Sequence, residues 1–179
     1  DETYGTVLGR ILAPTQAEGV LTALDFVSPD PQNAFKFERY RQTLQYVDIL
    51  CINEDQACSL TELNSPKDAC VALVETLNAN IAVVHCGALG PNYAFSKATG
   101  LLVQPNFRVK DAECKGNAGA GDAFCAGFLH GVHEEWPIAE ALEFAAAAAA
   151  ISLGDESCTG AMKHENEINE FINHRKGHV

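Results

Sequence analysis

The most informative segment of this chain is Asn117-Ala118-Gly119-Ala120-Gly121-Asp122-Ala123-Phe124. A segment predicted to be extended enters this tight turn of small residues, and a long helix predicted over about 120–134 starts immediately after it. The free N–H groups of a first helical turn and the positive end of the helix dipole point at one spot, so the turn is predicted to bind an anion. Gly119 and Gly121 allow the backbone to approach a ligand closely, where a side chain would intrude.

Asp122 projects from the first turn of that helix, beside the predicted anion site. Backbone N–H groups around Gly119, Ala120 and Gly121 are suited to stabilise charge on a transferring phosphoryl group, and a carboxylate is suited to take the proton of an attacking hydroxyl. The pair is therefore typical of phosphoryl transfer to an alcohol. From this segment alone a structural interpretation stays equally open, because a Gly-Ala-Gly turn also permits close packing and an early helical Asp also favours the dipole.

Helices and strands alternate along the rest of the chain, and single helices separate three apolar strands, which implies parallel βαβ units. Asn53 is placed to cap one helix, and Ser65 with Pro66 marks the start of another. The expected fold is one α/β domain over residues 1–179, with a doubly wound, mostly parallel sheet flanked by helices. In chain order the predicted elements are a helix over 3–18, a strand over 20–27, a helix over 34–45, a strand over 48–52, a helix from 66 to about 78, a strand over 81–86, a hairpin of 93–96 and 101–104, an extended segment over 107–114, and helices over 120–134, 138–153 and 165–174.

The charge and the cysteine content narrow the classes of function. The chain has 179 residues, a formal net charge of −12 and a pI of about 4.8, so nucleic acid and anionic membrane surfaces are poor partners. The phosphates of a nucleotide would have to be met by backbone N–H groups, a metal ion and a few local cations. The seven cysteines form no Cys-x-x-Cys pair. Reduced, mostly buried thiols are therefore expected, as in a cytoplasmic protein. No apolar run approaches the roughly 20 residues of a membrane span, which agrees with this location.

The segment from Gly119 to Phe124 resembles the signature of the ribokinase-like (PfkB-type) carbohydrate kinases. The resemblance extends from about residue 18 to 165 and implies a ribokinase-like fold. It also implies an ATP-dependent kinase that phosphorylates a hydroxyl group of a sugar, a nucleoside or another polyol. Three further segments are similar to the family in the same order: 48–50 followed by Asn53-Glu54, 83–90 with its Gly-x-x-Gly turn, and 141–153 followed by Gly160-Ala161.

The resemblance assigns the chemistry to the helix start. Asp122 would be the catalytic base, and the N–H groups around Gly119, Ala120 and Gly121 would form the anion hole. The cofactors implied are ATP and Mg²⁺, and the acceptor implied first is a sugar.

The nucleotide would be bound by residues from two other segments. Gly87 and Gly90 would let it lie against their turn, and Asn53 would sit near its phosphates through water or Mg²⁺. A plain helix cap explains Asn53 equally well, and no metal ligand is assigned. The family's N-terminal half, which supplies most sugar contacts and the lid, is expected to be absent from this sequence. Family dimers pair through that lid, so a homodimer is a prediction for the complete protein.

The chain departs from the family pattern at several positions. Gln56 stands where many members carry Glu, Gly116-Asn117 where Asp-Thr is common, His85 in place of a frequent Thr, and Ala146 in place of a frequent Asn or His. None of these changes affects Asp122, so a kinase is the first interpretation. A nucleotide-binding regulatory module without turnover and a purely structural α/β domain remain as alternatives.

Overall fold

The computed structural model describes residues 3–26, 37–77, 79–87 and 90–176. The chain divides into two compact units, Asp1–Cys86 with Tyr93–Leu102, and Gly87–Asn92 with Val103–Val179. The single domain expected from the sequence stays a prediction. In chain order the elements are α1 (Val7–Ala17), β1 (Ala23–Asp25), α2 (Phe37–Leu44), β2 (Ile49–Asn53), α3 (Glu54–Thr61), α4 (Pro66–Glu75), β3 (Ile81–His85), β4 (Asn92–Ser96), β5 (Gly100–Gln104), a 3₁₀ helix (Asp111–Glu113), α5 (Ala120–His133), α6 (Ile138–Ser152) and α7 (Glu165–Lys176).

The sheet has the strand order β1-β2-β3-β4-β5, and most of it belongs to the first unit. β1, β2 and β3 run parallel, so that Leu50 of β2 pairs with Leu24 on one side and Ala82 on the other, whereas β4 runs antiparallel to β3. Parallel neighbours require a crossover, which α2 provides before β2 and α3 with α4 provides before β3. The connection after β3 is short and suits an antiparallel return. The predicted α/β fold with flanking helices is confirmed, and the sheet is mixed, with parallel β1, β2 and β3 and an antiparallel β4.

The core of the first unit forms between the parallel strands and the helices that cross over them. Leu50, Ile52, Leu73 and Val84 are buried in one apolar cluster with residues of α3 and α4. Such burial of near-continuous apolar strands is what a parallel sheet with covered faces requires. α4 starts where the sequence predicts, because the Ser65 hydroxyl accepts a hydrogen bond from the Asp68 N–H at 3.3 Å.

Cysteines contribute to this core as apolar groups. All seven are free, and Cys51, Cys70, Cys86 and Cys125 are buried, which agrees with the thiols expected from the sequence. Burial raises the pKa of Cys70 to about 12. Burial also raises the pKa of Cys86 to about 12, with a further contribution from the carboxylate of Glu54. Both groups therefore stay protonated at neutral pH and are poor nucleophiles, since the thiolate is the reactive form.

Asp48 precedes β2 and accepts hydrogen bonds from residues that precede β1 and β3 in the first unit. Its Oδ2 accepts a hydrogen bond from the Thr22 N–H before β1 at 2.9 Å. Its Oδ1 accepts from Gln16 Nε2 of α1 at 2.9 Å and from Asn80 Nδ2 before β3 at 2.6 Å. Burial raises the pKa of Asp48, but these hydrogen bonds outweigh burial and hold the pKa below its ordinary value.

The second unit is organised by the contact between α5 and α6, which depends on glycines. A Cβ on Gly131 would lie 2.6 Å from the Ala141 Cβ, and a Cβ on Gly127 would lie 3.0 Å from the Ala145 Cα. The two helices therefore approach at backbone distance. Phe144, Ala147 and Ala148 of α6 also pack in a cluster with Ile168 and Ile172 of α7.

Three predicted elements differ from the structure. The first helix begins at Val7, because Thr6 caps it, and β1 is shorter than predicted, because Thr22 bonds to Tyr46 O and Asp48 at the strand entrance. The segment 107–114 is not continuously extended, since the Glu113 N–H bonds locally to Lys110 O at 2.8 Å. The predicted strand end at Val27, the loop 28–31 and the helix start at 34–36 lie outside the described residues. Within the described ranges, no helix has the length and apolar character needed to cross a membrane.

The contact between α5 and α6 predicts that Gly131→Ala lowers the free energy of unfolding by about 1–2 kcal/mol. Overpacking of the added methyl group exceeds the gain in helix propensity. Urea unfolding of the single variants and of Gly131→Ala with Ala141→Gly measures this effect. The double variant should lose less stability than the sum of the single losses, because the second change removes the Ala141 methyl group, whereas the Ala141 Cα at 2.8 Å stays in contact with the added Cβ. Strict additivity would contradict the contact.

The environment of Asp48 predicts that Asp48→Asn lowers the free energy of unfolding by about 1–3 kcal/mol at pH 7, because an amide must turn its NH₂ group toward N–H donors. A lowered pKa in the folded state stabilises the protein above the unfolded pKa of about 3.9, and this contribution is lost as the pH falls through the folded value. Urea unfolding at pH 7 and pH 3 should therefore show a smaller difference from wild type at pH 3. The exposed Asp55→Asn is the matched control and should change stability by less than about 0.5 kcal/mol at both pH values.

Candidate active site

The turn that is predicted to bind an anion, called the anion turn below, comprises Gly119 to Asp122 at the start of α5. Gly119 is the N-cap and adopts a left-handed conformation with φ 78° and ψ 1°, and the helix begins at Ala120. The Ala120 N–H makes a long hydrogen bond of 3.4 Å to Asn117 O. Among the described residues, no acceptor bonds to the N–H groups of Gly121 and Asp122. Two donors of the first helical turn are therefore directed along the helix axis, where the dipole also favours an anion.

Asp122 lies in this same first turn and is exposed. Within the described part of the chain, its carboxylate makes neither a hydrogen bond nor an ion pair. An exposed carboxylate without a competing partner can accept a proton from a ligand, and its neighbouring N–H groups can bind an anionic part of the same ligand. The structure thus brings Gly119, Ala120, Gly121 and Asp122 together in one turn, as the sequence predicts.

The loop after α6 packs directly against this turn. A Cβ on Gly119 would lie 2.6 Å from the Cβ of Cys158, and a Cβ on Gly116 would lie 3.1 Å from the Cα of Glu156. Gly119 is therefore required both by its positive φ and by the approach of Cys158. The glycine at position 116, where the family commonly carries Asp, also has a packing reason, because the loop leaves little room for a side chain.

The Gly87–Gly90 turn is held by two asparagines. Asn106 Nδ2 donates to the carbonyls of Gly87 at 2.8 Å and Gly90 at 2.6 Å, and the Gly90 N–H donates to Gly87 O at 3.1 Å. Asn92, which is 1% exposed, donates through Nδ2 to Asn106 Oδ1 at 2.6 Å. Residues 88 and 89 lie outside the described residues. Sequence analysis missed Asn92 and Asn106, and the only signal was the predicted hairpin between them.

Asn53 lies in the first unit, at the end of β2, and caps α3. Its Oδ1 accepts from the Gln56 N–H at 2.8 Å, and Gln56 Oε1 accepts from the Asn53 N–H at 3.3 Å, which forms a capping box. The plain cap that the sequence left open is therefore present, and Gln56 has a structural role as its partner. The Asn53 Nδ2 group still supplies two donors that are suited to a phosphate or its water shell.

The structure adds no metal ligand to the sequence analysis, which assigned none. In residues 3–26, 37–77, 79–87 and 90–176, no three His, Cys, Asp or Glu side chains are grouped so that they could hold a metal ion. Glu54, which follows Asn53, bonds to the Cys86 thiol. The donors available near Asn53 are thus an amide and a carboxylate, which match the oxygen ligands and water shell that Mg²⁺ prefers.

Comparisons with known proteins agree on one family. The sequence matches the pfkB family carbohydrate kinase over residues 8–165. It is 39% identical over 101 residues to a 5-dehydro-2-deoxygluconokinase of Geobacillus kaustophilus, which covers 56% of this chain and 29% of that protein. It is 29% identical over 155 residues to the 5-dehydro-2-deoxygluconokinase of Lacticaseibacillus casei, which covers 86% of this chain and 46% of that protein. The chain thus spans less than half the length of these relatives.

The fold agrees with a solved structure of the same type. Arabidopsis thaliana ribokinase complexed with ribose and ATP superimposes with a TM-score of 0.76 and 23% identity, which covers 94% of this chain and 52% of that protein. At this identity the likeness concerns the fold alone, and it confirms the ribokinase-like architecture. Because the family match extends over residues 8–165 and the fold agrees with it, this chain belongs to the pfkB family of carbohydrate kinases.

Proposed function

We propose that this chain carries the catalytic turn and the nucleotide-binding residues of a kinase that transfers the γ-phosphoryl group of ATP to a hydroxyl group of a sugar. The observation that carries the proposal is the start of α5. There, the N–H groups of Gly121 and Asp122 lack acceptors among the described residues, and the Asp122 carboxylate lies exposed in the same turn. Membership in a family of carbohydrate kinases supports the choice of phosphoryl transfer over other uses of an anion site.

Asp122 serves as the general base in this proposal. Its carboxylate accepts the proton of the acceptor hydroxyl while the hydroxyl oxygen forms a bond to the γ-phosphorus and the bond from phosphorus to the leaving ADP oxygen breaks. The N–H groups beside Asp122 stabilise the charge on the equatorial phosphoryl oxygens in the transition state. Because base and donors share one rigid helical turn, their relative geometry requires no rearrangement during the reaction.

The Gly87–Gly90 turn and Asn53 bind the nucleotide in this proposal. The carbonyls of the turn are occupied by Asn106, which fixes the backbone that the nucleotide lies against. The Asn53 Nδ2 group would donate to the phosphates directly or through water. Mg²⁺ bound with the ATP would reduce the repulsion between the phosphates and a chain of net charge −12, and the Asn53 amide and Glu54 carboxylate would be the protein oxygen ligands near it.

The first acceptor to test is 5-dehydro-2-deoxygluconate. The Geobacillus and Lacticaseibacillus relatives are named for phosphorylating this compound, whereas the Arabidopsis structure contains ribose. The sequence identity to the named relatives is higher than the 23% identity to the ribokinase. We therefore propose a sugar acid of this kind as the acceptor and include ribose and fructose for comparison.

The general base predicts that Asp122→Asn lowers kcat by 10²-fold or more in the full-length gene product, with MgATP binding retained. ADP release over the acceptor panel measures kcat, and calorimetric titration measures MgATP binding. Glu140→Gln is the matched control, since Glu140 is an exposed carboxylate in the first turn of α6, and it should leave both values unchanged. MgATP binding without turnover of any acceptor would favour the regulatory module, and neither binding nor turnover would favour a structural domain.

The hydrogen bonds from Asn106 to the Gly87–Gly90 turn predict that Asn106→Ala weakens MgATP binding about tenfold. The variant should also raise the KM for ATP with little change in kcat. Loss of two hydrogen bonds to the turn is worth about 1–1.5 kcal/mol, which corresponds to a tenfold change in affinity. Gln104→Ala is the control, because this nearby amide bonds only to the adjacent Pro105 carbonyl among the described residues. An unchanged KM for ATP in a folded Asn106→Ala variant would remove the turn from the nucleotide site.

A further inference from the structure

The loop that follows α6 is folded around one carboxylate. Asp155 Oδ1 accepts hydrogen bonds from the Ser157 N–H at 2.8 Å and from the Ser157 hydroxyl at 2.7 Å. The Ser157 oxygen in turn accepts from the Gly160 N–H at 3.0 Å. Gly160 approaches so closely that a Cβ on it would lie 2.6 Å from Asp155 Oδ1. The Asp155 carboxylate and the Ser157 hydroxyl together connect residues 155, 157 and 160 by hydrogen bonds.

This loop is also the surface against which the anion turn rests. The Lys115 N–H donates to Leu153 O at 2.8 Å, Gly116 packs on the backbone of Asp155 and Glu156, and Gly119 packs on Cys158. The contacts follow one another along both segments, from 115 against 153 to 119 against 158. Gly119 has no side-chain cap, and its carbonyl accepts the Ala123 N–H at 2.8 Å, so Cys158 is the neighbour from the loop after α6 that packs against its left-handed backbone.

The ionised form of the Asp155 carboxylate is stabilised by its neighbours. Hydrogen bonds from the Ser157 N–H and hydroxyl, and then the nearby Lys115 ammonium group, hold the pKa of Asp155 below its ordinary value. The carboxylate is therefore ionised at neutral pH, and its acceptor capacity for the loop is permanent. Asp155 is not in the anion turn and faces the loop, so any effect that it has on chemistry must act through the backbone contacts above.

We propose that Asp155 is a positioning residue of the phosphoryl-transfer site. Its hydrogen bonds stabilise the loop 155–160, in which Glu156 packs against Gly116 and Cys158 packs against Gly119. These contacts in turn set the direction of the N–H groups of Gly121 and Asp122. This inference rests on the proposed function. Donors that stabilise a transition state must keep their direction closely, and small misplacements cost up to about 10²-fold in rate. Loss of Asp155 should therefore lower kcat and leave the binding of both substrates nearly unchanged.

The test compares Asp155→Ala, Asp155→Asn and Ser157→Ala in the full-length gene product, with Asp122→Asn beside them. Asp155→Ala should lower kcat by about 10–100-fold while the KM values for ATP and the acceptor stay within about twofold. Asp155→Asn keeps an Oδ1 acceptor, and asparagine forms the same local turn, so it should restore kcat to within about threefold of wild type. Ser157→Ala should fall between these variants. Thr159→Ala, an exposed side chain in the same loop, is the control and should leave kcat unchanged.

A second readout follows the turn without turnover. Hydrogen exchange of the backbone amides in 117–124, measured by mass spectrometry, should be faster in Asp155→Ala and near wild type in Asp155→Asn. Unchanged exchange in Asp155→Ala would overturn the inference whatever the activity, as would unchanged kcat beside an active wild-type protein that Asp122→Asn inactivates. Absence of turnover in the wild-type protein with every acceptor would instead overturn the proposed function, and the catalytic role of Asp155 with it.

Discussion

The left-handed conformation of Gly119 is the constraint on which the start of α5 and the position of Asp122 depend. With φ at 78° this residue turns the chain so that α5 can begin at Ala120, and only glycine combines this conformation with the contact to Cys158. If the turn relaxed, the first N–H groups of α5 would point elsewhere and Asp122 would move with them. The position of the Asp122 carboxylate, the general base of the proposed function, is thus set by a residue that has no side chain.

The same device recurs in the packing of the helix that this turn begins. Gly127 and Gly131 remove the side chains that would separate α5 from α6, so the helix carrying Asp122 is held at backbone distance from its neighbour. Close packing limits the small displacements that a looser core would allow. Glycine therefore has two roles in α5: it permits close packing against α6 and it permits the left-handed turn that precedes Asp122. Both roles require small residues in this part of the chain.

Local patterns made most of the fold predictable from sequence, and contacts between distant segments account for what was missed. Ser65, Pro66 and the Gly119–Asp122 turn act within a few residues of themselves, so their effects can be predicted from spacing alone. The antiparallel pairing of β4 with β3, the hydrogen bond between Asn92 and Asn106, and the packing of Cys158 on Gly119 join separate segments of the chain, so spacing within one segment does not predict them. For Asn53, spacing could not separate a cap from a ligand, and the structure supplies the cap through Gln56.

The acidity of the chain and a phosphate-binding role are compatible because the proposed site uses dipoles in place of cations. The backbone N–H groups at the start of α5 carry no net charge, so under the proposed function they would bind phosphate without the long-range field that a basic patch would create. Under the same proposal, Mg²⁺ would reduce the charge of the nucleotide that a chain of net charge −12 has to accept. Lys115, the cation nearest to the turn in sequence, is engaged electrostatically with Asp155. Under the proposed function, it stabilises the loop that supports the anion turn, and the phosphate is bound by neutral donors.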